Sequence, residues 1–272
     1  MTEWLAQYEE DGEVFFRIGR DGEDVVADWI GIARLVARRD GSWHRLEVWP
    51  DAEPRELAKI ERGSVRLLLR HLAGKMAFHG AAVVEGDRAA VLMGRARQGK
   101  STLAAALCAR NGVALLSDDA VAIDPSGHDF AVTPLEECHW LDAAAQRAVR
   151  ELGGAWAPGD VVTEEGKRPI GAPRIGGGGR LVAFVDLVFT DGPARVTRAS
   201  SLEAMAVLVP QAVRFVLDDP AVNRREVDTL ARLVDTVPVF RLERPRDLAL
   251  LSDSCDLVLN LLRELPAASS DP

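Results

Sequence analysis

Short runs of strand-forming residues open the chain. Val14-Phe15-Phe16-Arg17-Ile18 and Trp43-His44-Arg45-Leu46-Glu47-Val48-Trp49 are closed by the turn sequences Gly19-Arg20-Asp21-Gly22 and Pro50-Asp51. They predict a small β-rich module. From Pro54 to Leu72 the spacing becomes helical: Pro54 suits a first turn, and Leu57, Ile60, Val65, Leu68 and Leu72 fall mostly on one side. After Gly74 the pattern changes to strand, loop, helix, strand. Ala81–Glu85 and Ala89–Met93 are expected as strands, Lys100–Arg110 as a helix and Val113–Leu116 as a buried strand. Later strands are expected at Leu181–Phe189 and Val237–Leu242, and later helices near Ser201–Val213, Arg224–Asp235 and Leu248–Leu262. Strands interleaved with helices indicate an α/β architecture layered around a central sheet. The change of pattern near residue 70 separates a small N-terminal α+β module, residues 1–70, from a larger domain, residues 71–272. Gly176–Gly179 reads as a flexible loop.

Composition narrows the classes of function. With 272 residues, 47% hydrophobic and 28% charged, the chain has the make-up of a soluble globular protein. No apolar run approaches the roughly 20 residues of a membrane helix. The start, Met1-Thr2-Glu3-Trp4, lacks the basic stretch and apolar core of a signal peptide, so a cytoplasmic location is the default expectation. A net charge of −9 argues against a broad nucleic-acid surface. Cys108, Cys138 and Cys255 are far apart and show no metal-ligand spacing, which reads as three small hydrophobes. Only Lys59, Lys75, Lys100 and Lys167 are lysines, so a lysine at a motif position stands out.

Lys100 is at such a position. Gly94-Arg95-Ala96-Arg97-Gln98-Gly99-Lys100-Ser101 matches the phosphate-loop pattern G-x-x-x-x-G-K-[ST], and Thr102 continues it into the helix. A glycine at each end lets the backbone curl, so that successive N–H groups point at phosphate oxygens. The helix that follows presents its N-terminus to the same anion. Lys100 would reach the β- and γ-phosphates, and the Ser101 hydroxyl would ligate Mg²⁺. The apolar flanks, Ala90-Val91-Leu92-Met93 before and Thr102 to Leu107 after, supply the strand and helix that the motif requires.

Asp118-Asp119 follows the apolar run Val113-Ala114-Leu115-Leu116. Carboxylates at a strand end beside a phosphate loop are suited to hold Mg²⁺. Two together can divide labour, one facing the metal while the other takes a proton from an attacking hydroxyl. His79-Gly80 precedes the strand pair that leads into the loop. Alone it reads as a structural histidine, and it gains meaning only if the fold brings it beside Asp118. The five histidines show no zinc spacing.

Phe78-His79-Gly80-Ala81-Ala82-Val83-Val84, the loop Gly94–Thr102 and Leu115-Leu116-Ser117-Asp118-Asp119 together resemble the catalytic domain of HPr kinase/phosphorylase and its relatives. That family carries His-Gly before its loop and Asp-Asp after it, in this order, on a fold akin to phosphoenolpyruvate carboxykinase. The resemblance implies a P-loop kinase domain, ATP and Mg²⁺ as cofactors, and a serine hydroxyl as acceptor. It implies that Lys100 contacts the transferring phosphate and Ser101 binds Mg²⁺. Asp118, assisted by His79, is the first choice for the base, and Asp119 for the metal side; the reverse assignment stays open. The family usually has an inner glycine where this chain has Arg97. A later family arginine corresponds to Lys167, Arg168 or Arg174, and Glu136 and Glu137 stand nearest its metal-binding glutamate. The short length and β-rich front look like the relatives that phosphorylate ribosomal peptide precursors.

Three functions follow as expectations. The first is a Mg²⁺- and ATP-dependent kinase acting on a serine of a protein or peptide, with no nucleic-acid or membrane partner and a homo-oligomer left open. The second is a kinase for a small hydroxylated molecule, using the same loop. The third is a nucleotide-sensing regulator without catalysis, drawing on the unusual Arg95 and Arg97.

Overall fold

The alternation at the start of the chain becomes an antiparallel meander. In the computed structural model, which describes residues 1–126, 128–154, 162–163 and 166–265, strands β1 (Glu3–Glu10), β2 (Glu13–Asp21), β3 (Asp24–Trp29), β4 (Ala33–Arg38) and β5 (His44–Val48) pair in chain order. One face carries Phe16, Ile18, Val25, Ala27, Trp29, Ala33, Leu35 and Ala37, all buried. They pack with Ile60, Val65, Leu68 and Leu72 from the following helical segment and with Leu217 and Val222. On the other face the cross-strand row Arg17–Asp28–Arg34 buries the Asp28 carboxylate. Burial alone would raise the Asp28 carboxyl, but hydrogen bonds from Arg34 and Arg17 outweigh it and hold it below its ordinary value.

The single helix expected over Pro54–Leu72 is helical throughout but not uniform. Helix α1 (Pro54–Ile60) passes through one π-helical turn, Glu61–Val65, into α2 (Arg66–Leu72). That turn contains Gly63 and Ser64, poor helix formers that tolerate the wider winding.

His71, near the end of α2, is buried with its Nδ1 3.3 Å from Glu226. Burial, with Arg214 and Arg225 nearby, pushes its pKa from 6.5 down to about 4, although a backbone hydrogen bond at Phe215 opposes the shift. The folded value is the lower one, so the unfolded chain takes up a proton that the native chain refuses. The contribution is therefore complete above pH 6.5 and is lost as the pH falls towards 4. On the order of 3 kcal/mol is at stake for a shift of this size. Urea unfolding followed from pH 7 to pH 4 should show a steeper loss of stability in the wild type than in His71→Leu; parallel curves would contradict this.

The chain divides into two compact units: Met1–Ala77 with Val213–Thr229, and Phe78–Ala212 with Leu230–Pro272. The first crossing lies near the change of pattern seen in the sequence. Val213–Thr229, however, returns to the first unit, so the division is not a single cut.

The second unit is built on a seven-stranded mixed sheet. Its strands are β6 (Met76–Glu85), β7 (Arg88–Met93), β8 (Val113–Ser126), β9 (Asp129–Thr133), β12 (Gly179–Phe189), β13 (Arg195–Arg198) and β14 (Val239–Arg244), in the order β13-β14-β12-β7-β6-β8-β9. A separate two-stranded antiparallel ribbon pairs β10 (Cys138–Leu141) with β11 (Arg168–Gly171). The central strands β7, β12 and β14 run parallel. Helix α3 (Lys100–Cys108) connects β7 to β8, and its core contacts include α4 (Ala143–Glu151) and α7 (Leu251–Glu264). Leu103 to Cys108 are fully buried there with Ala81, Val83, Leu92, Val185 and Leu187 of the sheet. Helices α5 (Ser201–Gln211) and α6 (Pro220–Thr236) complete the chain, α5 opening on a capping box between Ser200 and Glu203. Among the described residues, no helix is long and apolar enough to cross a membrane.

Gly176–Gly179, expected as a flexible loop, is closely packed at Gly176 and Gly179, while Gly177 is exposed. The Gly176 N–H donates to Leu115 O, and a Cβ at Gly176 would lie 2.6 Å from Val84 Cγ1 and 2.7 Å from Leu116 Cδ2. The glycine run supplies room for packing.

Candidate functional site

The site lies where parallel strands end. β7 closes on the buried Met93, and the chain turns through Gly94–Gly99 into α3. Carboxyl ends of parallel strands are where open α/β sheets place their ligands. Gly94 has φ 133°, and a Cβ there would lie 3.0 Å from Leu187 O at the end of β12. Gly99 has φ 78°, and a Cβ there would collide with the Arg244 guanidinium at the end of β14. Conformation therefore favours glycine at both positions, and at Gly94 a backbone oxygen also limits the room.

Arg97 adopts φ 65°, the left-handed region that disfavours side chains. Relief of that strain is about 1 kcal/mol. Arg97→Gly should raise the urea midpoint of the protein, and an unchanged or lower midpoint would contradict the strain. Arg95 and Ala96 are exposed like Arg97, and Gln98 is half-buried.

Lys100 folds back over the loop, its Nζ donating to Gly94 O at 2.9 Å and Arg95 O at 3.3 Å. Burial lowers its pKa, Asp119 and Asp118 pull it up, and Lys167 adds to the lowering. The ammonium thus senses all three groups. Among the described residues, α3 has no side-chain cap at its N-terminus and no acid in its first turn. Its first closing hydrogen bond is from Leu103 N–H to Gly99 O at 2.9 Å. The N–H groups of Lys100, Ser101 and Thr102 precede that bond, at the end where a helix leaves donors unsatisfied.

The strand expected to stop at Leu116 continues through the aspartates to Ser126. Asp118 is only 1% exposed, so its partners decide its role. Ser101 Oγ donates to Asp118 Oδ1 at 2.8 Å, and the Trp140 N–H donates to Oδ2 at 3.1 Å. His139 Nδ1 is 3.7 Å from Oδ2, and this histidine is fully buried. Asp119 differs in every respect. It has φ 85°, which breaks the strand's alternation, and its side chain is exposed. A strained non-glycine residue presenting a carboxylate beside Lys100 is a feature of functional positions.

His79 is exposed near the start of β6. It precedes Ala81 and Val83 by two and four residues, so it points to the sheet face that packs on α3. β6 lies between β7, which leads into the loop, and β8, which carries the aspartates.

Of the three later basic candidates, Lys167 is the one whose charge acts on Lys100. It directly precedes β11, whose Arg168 pairs with Leu141 in the ribbon that brings Trp140 to Asp118. Arg168 is exposed. Arg174 is committed elsewhere, donating to Val113 O, Cys108 O and Arg110 O at the C-terminal end of α3. Glu136 and Glu137 lie in the connection between β9 and β10.

Three contributors carry no motif in the sequence. His139 and the Trp140 backbone reach Asp118 from the β10–β11 ribbon. Arg244 reaches the loop from β14 with an Nη2 hydrogen bond to Gln98 O at 2.9 Å.

Among the described residues, no group of three or more His, Cys, Asp or Glu side chains could hold a metal ion. The Ser101 hydroxyl and Asp118 carboxylate nonetheless form a hard oxygen pair, the kind that suits Mg²⁺. That ion takes one or two protein oxygens and fills its shell with waters and phosphate oxygens.

No family model matches the chain, and no curated protein matches it. Among solved structures, it is similar to the HPr(Ser) kinase/phosphatase from Coxiella burnetii, with a TM-score of 0.35 and 15% identity, covering 69% of this chain and 98% of that one. A likeness at that level carries no functional weight, so function has to come from the site's own geometry.

Proposed function

We propose that the protein is a Mg²⁺-dependent kinase that passes the γ-phosphate of ATP to a serine hydroxyl of a protein or peptide. The observation that carries this reading is the hydrogen bond from Ser101 to the buried Asp118, directly beside a lysine folded over a glycine-bounded loop. On this reading Gly94–Thr102 is a phosphate loop, with backbone N–H groups, the α3 N-terminus and Lys100 around the triphosphate.

The partners of the two aspartates favour the reverse of the first-choice roles. Asp118 shares its carboxylate with Ser101, so these two residues form the magnesium side. Asp119 is exposed and free to face an acceptor, so it is the base. Magnesium, when bound, would neutralise charge on the β- and γ-phosphates. Asp119 takes the serine proton, the serine oxygen bonds to the γ-phosphorus, and the bond to the β,γ-bridging oxygen breaks to release ADP. On this reading His79 assists the base, and Lys167 supplies a second cation for the transferring phosphate.

Incubation with γ-labelled ATP, a serine-peptide library and a panel of hydroxylated metabolites tests the reading. Label on serine peptides supports it. Label on metabolites alone transfers the same site to a small-molecule kinase. ATP binding with no labelled product at all would favour a sensing role, in which the exposed Arg95 and Arg97 read out the bound nucleotide.

A further inference from the structure

Among the described residues, Arg244 is the largest fully buried side chain, and it lies under the loop. Its Nη2 holds Gln98 O, and its guanidinium lies 4.9 Å from the Phe189 ring centroid. Its Nε is buried with no hydrogen-bond partner, and no carboxylate among the described residues forms a salt bridge with it. A buried cation ordinarily has an acid partner, because the uncompensated charge is destabilising. Among the described residues the fold sets against it the Phe189 ring, the Gln98 carbonyl and the Cys255 thiol, which burial pushes up to about 12, and none of them carries a full negative charge at neutral pH. Burial accordingly pushes its pKa down to about 10, so the guanidinium is still charged at neutral pH.

The position of this unmatched charge is informative. A Cβ at Gly99 would lie within contact of Arg244 Nη2 and would oblige the guanidinium to shift, so the glycine, already favoured by its positive φ, lets Arg244 keep this place. Phe189, which pairs with Arg244 across β12 and β14, has its ring tip 4.0 Å from the same Cβ position. Strand ends, aromatic ring and guanidinium thus form a floor under the last turn of the loop, on the side away from Asp118 and Asp119 in the sheet order.

We propose that Arg244 is a positioning residue of the loop, whose buried charge serves as the fixed counter-charge of a bound polyphosphate. This rests on the reading that the loop holds phosphate, but not on the identity of the acceptor or on catalysis. The guanidinium acts through Gln98 and Gly99: it fixes the carbonyl of one and the approach of the other. It also adds positive potential beneath the loop, where water does not screen it. The protein without ligand bears the cost of an unpaired charge, and the anion relieves it.

The charge and the hydrogen bond are separable by substitution. Arg244→Gln keeps a donor for Gln98 O and removes the charge, Arg244→Lys keeps the charge and loses the fork, and Arg244→Met removes both. Affinities of the full-length protein for inorganic tripolyphosphate and for Mg·ATP are measured by calorimetry, with the thermal midpoint of each ligand-free variant. Arg244→Gln and Arg244→Met should bind tripolyphosphate about 10-fold more weakly than wild type, with Arg244→Lys within about 3-fold. The ligand-free midpoints of the two neutral variants should equal or exceed that of wild type.

Binding by Arg244→Gln equal to wild type would leave Arg244 a mere structural clamp and overturn the proposal. Failure of both neutral variants to fold would do the same. A wild type that binds tripolyphosphate through Arg244 but transfers no phosphate sinks the kinase reading alone. One that transfers phosphate with a charge-independent affinity sinks this proposal alone.

Discussion

Lys100→Ala is expected to lower phosphoryl transfer by at least about 10³-fold, because it removes the ammonium folded over the loop. The loss should be larger in turnover than in nucleotide affinity. The backbone N–H groups and the α3 N-terminus remain to hold the triphosphate, while the charge that follows the γ-phosphate is gone. The ligand-free variant should stay folded, since burial already works against the ammonium. Steady-state transfer from labelled ATP measures the effect, with a thermal melt as the control for folding. A folded Lys100→Ala protein within 10-fold of wild type would remove the lysine from the mechanism.

The second large effect separates the two aspartates. Asp119→Asn should lower kcat at least about 100-fold while leaving the Mg·ATP affinity within about 3-fold, as expected for loss of a base that touches the acceptor. Asp118→Asn should also be slow. Its distinguishing mark is a half-saturating magnesium concentration raised about 10-fold, because the carboxylate beside Ser101 would lose its charge. Magnesium titrations of kcat at saturating ATP tell the two apart. A raised magnesium requirement in Asp119→Asn, with none in Asp118→Asn, would restore the opposite assignment.

Much of this site could be read in the sequence because its parts are local. The strand, the two glycines, the lysine and α3 follow one another within about twenty residues, and each has a periodicity or a steric signature. Lys100 begins α3 as expected, and Ala89–Met93 is strand. What could not be read is whatever arrives from elsewhere in the chain. Two adjacent aspartates look like a strand end, since charged pairs seldom sit inside one. The strand nevertheless runs on, because Ser101 and the Trp140 N–H satisfy Asp118 and a left-handed turn expels Asp119.

Arg244 has no local signature at all. It closes a six-residue strand, and only the parallel pairing with β12 brings it beneath Gly99. The return of Val213–Thr229 to the first unit is equally silent, since α6 shows a single helical pattern across the boundary between the units. Gly176–Gly179 taught the converse lesson. A glycine run reads as freedom, yet two of these glycines are there because Val84 and Leu116 leave no space for a side chain.

Hydrogen–deuterium exchange with and without a magnesium-bound, non-hydrolysable ATP analogue addresses the triphosphate cradle at the level of its own backbone amides. Slowed exchange should concentrate in Gly94–Thr102, where the N–H groups of Lys100, Ser101 and Thr102 precede the first closing bond of α3, with a smaller effect around Asp118 and Asp119. Protection confined to other segments, or no change in the loop at saturating analogue, would contradict a phosphate site there and remove the basis for the kinase reading.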